Sequence, residues 1–198
     1  MGQLPQTFRI VSFLKVAVLT ASYLASVPTP VSAQDGVIDL AGKAADPFAV
    51  ARGKVVVLIF VRTDCPISNR YAPVIQQISA QHTEKAEFFL IYPDKKESAE
   101  VIRKHDQEFG YRIASLRDPQ HVLVNRSRAR ITPEVAVFDA ERKLIYHGRI
   151  DNLYEDFGHT RKSATTHELK DAVQAAITGK ALRTDATLAV GCYISDLE

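Results

Sequence analysis

The stretch that decides the fold is residues 55–73, "VVVLIFVRTDCPISNRYAP". It begins inside a continuous run of β-branched and apolar residues, 54–61, which is typical of a strand buried on both faces. Cys65 and Pro66 follow shortly after this run, and from Ser68 onward the apolar residues recur at helical spacing. The stretch therefore predicts a buried strand that delivers a cysteine to the start of a helix.

The predicted helix after Cys65 has one apolar face, formed by Tyr71, Val74, Ile75 and Ile78. Ser68 or Asn69 is the expected N-cap, because short polar side chains accept hydrogen bonds from the first free N–H groups of a helix. Pro73 is expected to kink the helix near its start.

The rest of the chain predicts an α/β fold with alternating elements. Strands are expected at 37–40, 87–92, 131–139 and 143–150, and helices at 97–109, from Asp118-Pro119 to near 130, and from the capping box "TTHE" at 165–168 to Gly179. A strand–helix–strand order implies parallel pairing, whereas two consecutive late strands add an antiparallel edge. We therefore predict a three-layer fold with a mixed central sheet and helices on both faces.

Residues 1–33 have the pattern of a secretory signal peptide. Arg9 and Lys15 provide the positive region, residues 16–27 a short apolar core, and "VSA" at 31–33 a cleavage site. An uncleaved N-terminal anchor is the alternative. We expect one domain at 34–179 and a tail at 180–198 without clear periodicity, in a protein that is exported to a periplasm or out of the cell.

Charge and length limit the kinds of partner. The chain has 25 basic and 23 acidic residues, and both basic residues of the signal segment leave with it, so the remaining 165 residues have no formal net charge. Nothing in this balance indicates binding to nucleic acid, or to a membrane after signal cleavage. The remaining length suits one domain with its own core.

The chain has two cysteines, Cys65 and Cys192, and an exported protein can oxidise them. Three alternatives stay open at this point. Cys65 acts alone with an external thiol, Cys192 folds back as a resolving cysteine, or the two form a permanent disulfide that ties down the tail.

These segments resemble the thioredoxin-like superfamily, in its exported redoxin branch (AhpC/TSA-like), over most of residues 37–179. The resemblance rests on the spacing from Cys65 to Pro73, on "ITPEVAVFD" with Pro133 after Thr132, and on the final strand pair and helix. The segments "TDCPISNRYAP", "GRIDNLYEDFG" and "VGCYI" are similar to a group of bacterial redoxin-domain proteins. The resemblance implies a cis Thr132-Pro133 bond facing Cys65, which positions the partner.

The chain also departs from the motifs of these relatives. Ser68 stands where the dithiol motif has its second cysteine, which leaves a "CPxS" site. Arg62 stands where peroxiredoxins carry a threonine, and Thr63 is one residue out of place. Val61 stands where copper-delivery relatives have a cysteine.

Cys65 is the candidate nucleophile, because a helix N-terminus stabilises the reactive thiolate. Arg62 and Ser68 are expected to tune this thiolate, and Asp64 to oppose it. The hypothesis is an exported thiol redox protein that exchanges disulfides or reduces peroxides, with an unidentified thiol as its reductant and without cofactor or metal. The alternatives are a redox-inactive domain with a Cys65–Cys192 bridge, and a copper-handling protein that adds a histidine, His147 or His159, to the two cysteines.

Overall fold

The structure is a computed structural model that describes residues 1–3, 36–195 and 197. The predicted signal peptide falls almost entirely outside these residues. The chain divides into two units, residues 1–31 and residues 32–198, and the second unit contains all the elements described below. Among the described residues, no helix combines the length and the apolar character needed to cross a membrane.

Ten strands and five helices are formed by the described residues. In chain order they are β1 (Ile38–Asp39), α1 (Pro47–Val50), β2 (Val55–Phe60), α2 (Pro66–His82), β3 (Ala86–Tyr92), α3 (Ala99–Glu108), β4 (Ala114–Arg117), α4 (Val122–Ser127), β5 (Ile131–Thr132), β6 (Glu134–Phe138), β7 (Leu144–Gly148), β8 (Tyr154–Asp156), β9 (His159–Thr160), α5 (Glu168–Thr178) and β10 (Cys192–Tyr193).

Six strands form the central sheet in the order β1-β4-β3-β2-β6-β7. Strands β2, β3 and β4 run parallel, whereas β1, β6 and β7 are each antiparallel to a neighbour. This arrangement confirms the predicted mixed sheet. The sequence prediction missed β4, a short strand whose polar residues do not form an apolar run.

Helices cover both faces of the sheet, as predicted. Because side chains alternate along a strand, Val57 and Ile59 of β2 point to the core shared with α2, α3 and α5. Val56 and Leu58 point to the opposite core, which includes side chains of α1 and α4. All six residues of β2 are buried, and this strand therefore holds the following cysteine in a fixed position.

Helix α2 begins earlier than the sequence prediction placed it. Cys65 is the N-cap, with extended backbone, and Pro66 is the first helical residue. Proline suits this position because it has no N–H that needs a partner and its φ is already helical. The expectation that Ser68 or Asn69 caps the helix is therefore wrong. Pro73 lies inside the helix.

Helix α4 begins later than predicted, at Val122 rather than at Asp118-Pro119. Asp118 still caps it from a distance, because its buried carboxylate accepts hydrogen bonds from the backbone N–H groups of Val122, Leu123 and Val124 at 2.8, 2.9 and 2.9 Å.

The segment after Gly179 packs against the domain in two places. The backbone around Thr187 bonds to β7, where Asp185 O accepts from His147 N at 3.0 Å and Thr187 N donates to His147 O at 3.2 Å. Further on, β10 pairs antiparallel with β5, so that Cys192 lies opposite Thr132. The segment that we expected to lack clear structure therefore contains a strand at this position.

Candidate active site

Cys65 follows β2 and lies immediately before the first residue of α2. Its side chain is fully buried, although its neighbours Asp64 and Pro66 are both exposed. In the thiol form, the S–H group donates to the carbonyl oxygen of Thr132 at 3.1 Å. The sulfur is therefore shielded from solvent, although the residues on both sides of Cys65 in the sequence are exposed.

The loop that faces Cys65 contains the cis Thr132-Pro133 bond, as the resemblance implied. The buried side chain of Glu134 holds the start of this loop, because its Oε2 accepts from the backbone N–H groups of Arg130 at 2.8 Å and Ile131 at 3.2 Å. This anchoring fixes the backbone that carries the Thr132 carbonyl.

Cys192 reaches the same place from the C-terminal segment. Its Cα is the register partner of Thr132, and its carbonyl accepts from Thr132 Oγ1 at 3.3 Å. Both cysteines are free thiols in this structure, and Cys192 packs against the core cluster that contains Cys65. Two thiols that are 127 residues apart in sequence therefore form one site.

The two thiols differ in acidity. Burial by itself raises the pKa of Cys65, but hydrogen bonds to the thiolate from the side chains of Cys192 and Ser68 outweigh it and lower this pKa. Burial raises the pKa of Cys192, and so does its role as donor to Cys65. The first proton therefore leaves Cys65, which makes it the nucleophile of the pair.

Ser68 lies one turn along α2, and its side chain is fully buried. Its hydroxyl oxygen has no conventional hydrogen-bond partner among the described residues. It lies near the Cys65 sulfur, however, where it stabilises the thiolate and lowers the pKa of Cys65. The unpaired hydroxyl is therefore available as a donor to the thiolate, at the position of the second thiol of a dithiol motif.

Arg62, which the sequence placed near Cys65, lies in two ion pairs. Its guanidinium pairs with Asp64 at 2.9 Å and Asp94 at 3.4 Å. Burial raises the pKa of Cys192 most, and the charges of Arg62 and Asp64 add smaller effects, Arg62 lowering this pKa and Asp64 raising it.

A buried polar chain next to the site was missed in the sequence analysis. Asn69 donates to the carbonyl of Thr63 at 3.1 Å and contacts His105 Nε2 at 2.8 Å. His105 Nδ1 lies 2.9 Å from the hydroxyl of Tyr92, which donates to Asp106 at 2.9 Å. The sequence signal for this chain of contacts was His105, a polar residue on the otherwise apolar face of α3. This chain of contacts fixes the backbone two residues before Cys65.

The two histidines considered as metal ligands have other surroundings. His147 Nδ1 lies 3.5 Å from Glu134 Oε1, and His159 is exposed on β9. Within the part of the chain that the structure describes, no three His, Cys, Asp or Glu side chains are grouped to hold a metal ion.

The segment 151–164 contains the hairpin β8–β9 and is anchored on α2. The hydroxyl of Tyr71 donates to the buried carboxylate of Asp151 at 2.6 Å, and the rings of Tyr71 and Tyr154 lie 5.7 Å apart. Phe157 at the hairpin turn is exposed. The hairpin therefore has a packed base and an exposed tip.

Comparison with known proteins supports the fold assignment. No family model matches the sequence, and no curated protein matches it. Among solved structures, a hypothetical protein from Sinorhizobium meliloti 1021 is 21% identical, with a TM-score of 0.69 over 80% of this chain and 88% of that chain. A secreted Mycobacterium tuberculosis disulfide oxidoreductase, described as homologous to Escherichia coli DsbE, is 20% identical, with a TM-score of 0.51 over 72% and 96%.

A thiol:disulfide interchange protein of the thioredoxin family, from Chlorobium tepidum TLS, is 14% identical. Its TM-score is 0.53, over 71% of this chain and 90% of that chain. The chain therefore has a thioredoxin-like α/β fold. At these identities the likeness concerns the fold, and the activity must be argued from the site itself.

Proposed function

We propose that this chain is an exported thiol–disulfide oxidoreductase in which Cys65 is the nucleophile and Cys192 the resolving cysteine. The observation that carries the proposal is the pairing of Cys192 with Thr132, whose carbonyl oxygen lies 3.1 Å from the Cys65 sulfur, together with the opposite shifts in the pKa of the two thiols. The secreted disulfide oxidoreductase with the same fold supports both the activity and the export.

The reaction needs two electrons, which the two thiols provide. The Cys65 thiolate attacks one sulfur of a partner disulfide, forms a mixed disulfide, and releases the other partner sulfur as a thiolate. Deprotonated Cys192 then attacks the Cys65 sulfur, forms the Cys65–Cys192 disulfide, and releases the second partner thiol. The partner disulfide becomes two thiols, and an external dithiol restores the protein. The reverse sequence oxidises a partner dithiol.

The protein groups around the sulfur support this order of steps. The Cys65 thiolate accepts hydrogen bonds from Cys192 and Ser68, which favour ionisation. Cys192 keeps its proton until the mixed disulfide has formed, because its pKa is raised. Once Cys65 is bonded to the partner, it no longer holds a negative charge, and Cys192 becomes easier to ionise.

Disulfides suit the site better than peroxides. Arg62, the cation nearest to Cys65 in the sequence, is paired with two carboxylates and offers no free charge to a peroxide. Both cysteines are free thiols in this structure, where β10 is already paired with β5, so a permanent Cys65–Cys192 bridge is not needed to hold the C-terminal segment. The redox use of the pair is therefore the function that the site supports best.

The test is turnover of a labelled peptide disulfide, with dithiothreitol as reductant, by the wild type and two variants. Cys65→Ser should abolish turnover, whereas Cys192→Ser should accumulate a mixed disulfide visible by intact mass. Full activity of Cys65→Ser would overturn the proposal. Alkylation of the native protein should label two thiols only after mild reduction if the pair cycles. An intact mass that lacks two hydrogens both before and after mild reduction would indicate a permanent bridge.

A further inference from the structure

We infer that residues 191–194 are a removable cover over Cys65, which must leave the edge of β5 before a partner cysteine can reach the sulfur. The inference rests on the proposed function for its purpose, but its structural basis is separate. A partner would be an extended polypeptide segment that takes the place of β10 along Ile131–Thr132. Cover and partner would then compete for one edge.

The first argument is the burial of Cys65. The residues before and after it are exposed, yet the Cys65 side chain itself has no exposed surface. A thiol that attacks a disulfide must meet the partner sulfur directly. The sulfur lies 3.1 Å from Thr132 O, Ser68 is one turn along α2, and Cys192 is the strand partner of Thr132 and packs against the core cluster of Cys65. Thr132 and Ser68 belong to the loop and helix that build the site, so the segment with Cys192 is the part that can leave.

The second argument is the way in which this segment is seated. β10 has two residues and pairs antiparallel with β5, which also has two residues. At Gly191, an added Cβ would lie 2.0 Å from the carbonyl oxygen of Thr132, a distance that no side chain tolerates. Close seating of the segment therefore requires glycine at this position.

The third argument is that two separate anchors hold the segment, and that only Leu188 and Tyr193 between them are exposed. The first point is Thr187, whose Oγ1 lies 2.6 Å from the hydroxyl of Tyr146 and accepts from Arg149 N at 3.1 Å. The second is Ile194, which is buried and donates from its backbone N to Arg130 O at 2.9 Å. Leu188, between them, is 90% exposed. Residues 191–194 can therefore leave while Thr187 keeps the segment attached.

This arrangement orders the proposed cycle. The cover leaves, the partner strand binds to β5, and Cys65 forms the mixed disulfide. The partner strand must then vacate the edge while still bonded to Cys65, so that Cys192 can return and resolve the bond. The same residues thus protect the reduced thiol and complete the reaction.

Two variants of the full-length protein release the cover without removing either cysteine. Gly191→Ala prevents close seating, and Ile194→Ser removes the buried anchor. Tyr193→Ser is the matched control, because its side chain lies in the same segment but is 77% exposed. The measurement is the rate of iodoacetamide labelling of Cys65 in the reduced protein at the high-pH plateau, where the thiol is ionised in every variant, read by mass spectrometry of the peptide that contains it.

We expect labelling at least tenfold faster in both release variants and unchanged in Tyr193→Ser. A peptide LAVGSYIS, the 188–195 sequence with serine in place of Cys192, should slow labelling of Gly191→Ala but not of the wild type. Wild-type rates in both release variants, with circular dichroism showing that they are folded, would overturn the inference. Fast labelling of the release variants, together with no disulfide turnover by the wild type, would support the cover and overturn the proposed function instead.

Discussion

The sulfur of Cys65 lies 3.1 Å from the carbonyl oxygen of Thr132, the residue that is also the strand partner of Cys192. One backbone position thus holds the reactive thiol and places the second thiol beside it. Because Thr132 O can accept but not donate, it favours the protonated form of Cys65. The thiolate must be stabilised by the donors on its other sides, Cys192 and Ser68.

The pH dependence of Cys65 labelling tests the thiol pair. The thiolate fraction, and with it the rate of reaction with iodoacetamide, rises as pH passes the pKa of Cys65. We expect the midpoint of the reduced wild type below that of an ordinary thiol, because the pKa is lowered. Cys192→Ala removes a hydrogen bond to the Cys65 thiolate and should raise the midpoint.

In that experiment the rate at high pH serves as the internal control. Loss of the side chain of Cys192 also makes Cys65 easier to reach, so the plateau rate is expected to rise. The midpoint depends on ionisation alone. An unchanged midpoint in Cys192→Ala would mean that the two thiols do not share a hydrogen bond.

Ser68→Ala tests whether Ser68, which stands where dithiol motifs have a second cysteine, stabilises the Cys65 thiolate. The variant removes the hydroxyl that lowers the pKa of Cys65, so the labelling midpoint should rise. Ser79→Ala is the matched control. Ser79 is on the same helix, but its hydroxyl donates to the carbonyl of Gln76 at 3.0 Å, and its loss should leave the midpoint of Cys65 in place. Equal shifts in both variants would contradict the role of Ser68.

The core of the fold and the first half of the site could be predicted because their signals are local. The run at β2 and the change of period after Cys65 are continuous in sequence, and the cis bond at Pro133 followed from the resemblance. The start of α2 was misplaced because a polar N-cap was expected, although Pro66 at the first helical position was itself a signal. The place of Cys192 depends on a two-residue strand and on the fit of Gly191 against Thr132. A contact between residues 127 positions apart produces no periodic pattern in the sequence, so the place of Cys192 could not be predicted.

Glu134→Ala tests the anchoring of the loop before Pro133. The variant leaves the backbone N–H groups of Arg130 and Ile131 without their acceptor. Because Glu134 is buried, we expect a loss of about 1–3 kcal/mol in the free energy of unfolding, measured with urea. Glu87→Ala is the control, since its ion pair with Lys54 at 3.4 Å is partly exposed and should contribute about 0–1 kcal/mol. Similar losses in both variants would show that Glu134 does not hold the loop.

Tyr71→Phe tests the bond that ties segment 151–164 to α2. The hydroxyl of Tyr71 donates to the buried Asp151 at 2.6 Å, and burial together with this carboxylate raises the pKa of Tyr71. In Tyr71→Phe, Asp151 keeps only the donor Leu153 N at 2.9 Å among the hydrogen bonds described for it. We expect a loss of about 1–3 kcal/mol in the free energy of unfolding.

Tyr193→Phe is the matched control for this change, because the side chain of Tyr193 is exposed and its hydroxyl has no hydrogen bond among the described contacts. Its free energy of unfolding should stay within about 0.5 kcal/mol of the wild type. Asp151→Asn adds a second check. An amide can accept from Tyr71 but carries no charge, so part of the stability lost in Tyr71→Phe should be retained. If Tyr71→Phe were as stable as the wild type, the hairpin would be held by the ring contact with Tyr154 rather than by this hydrogen bond.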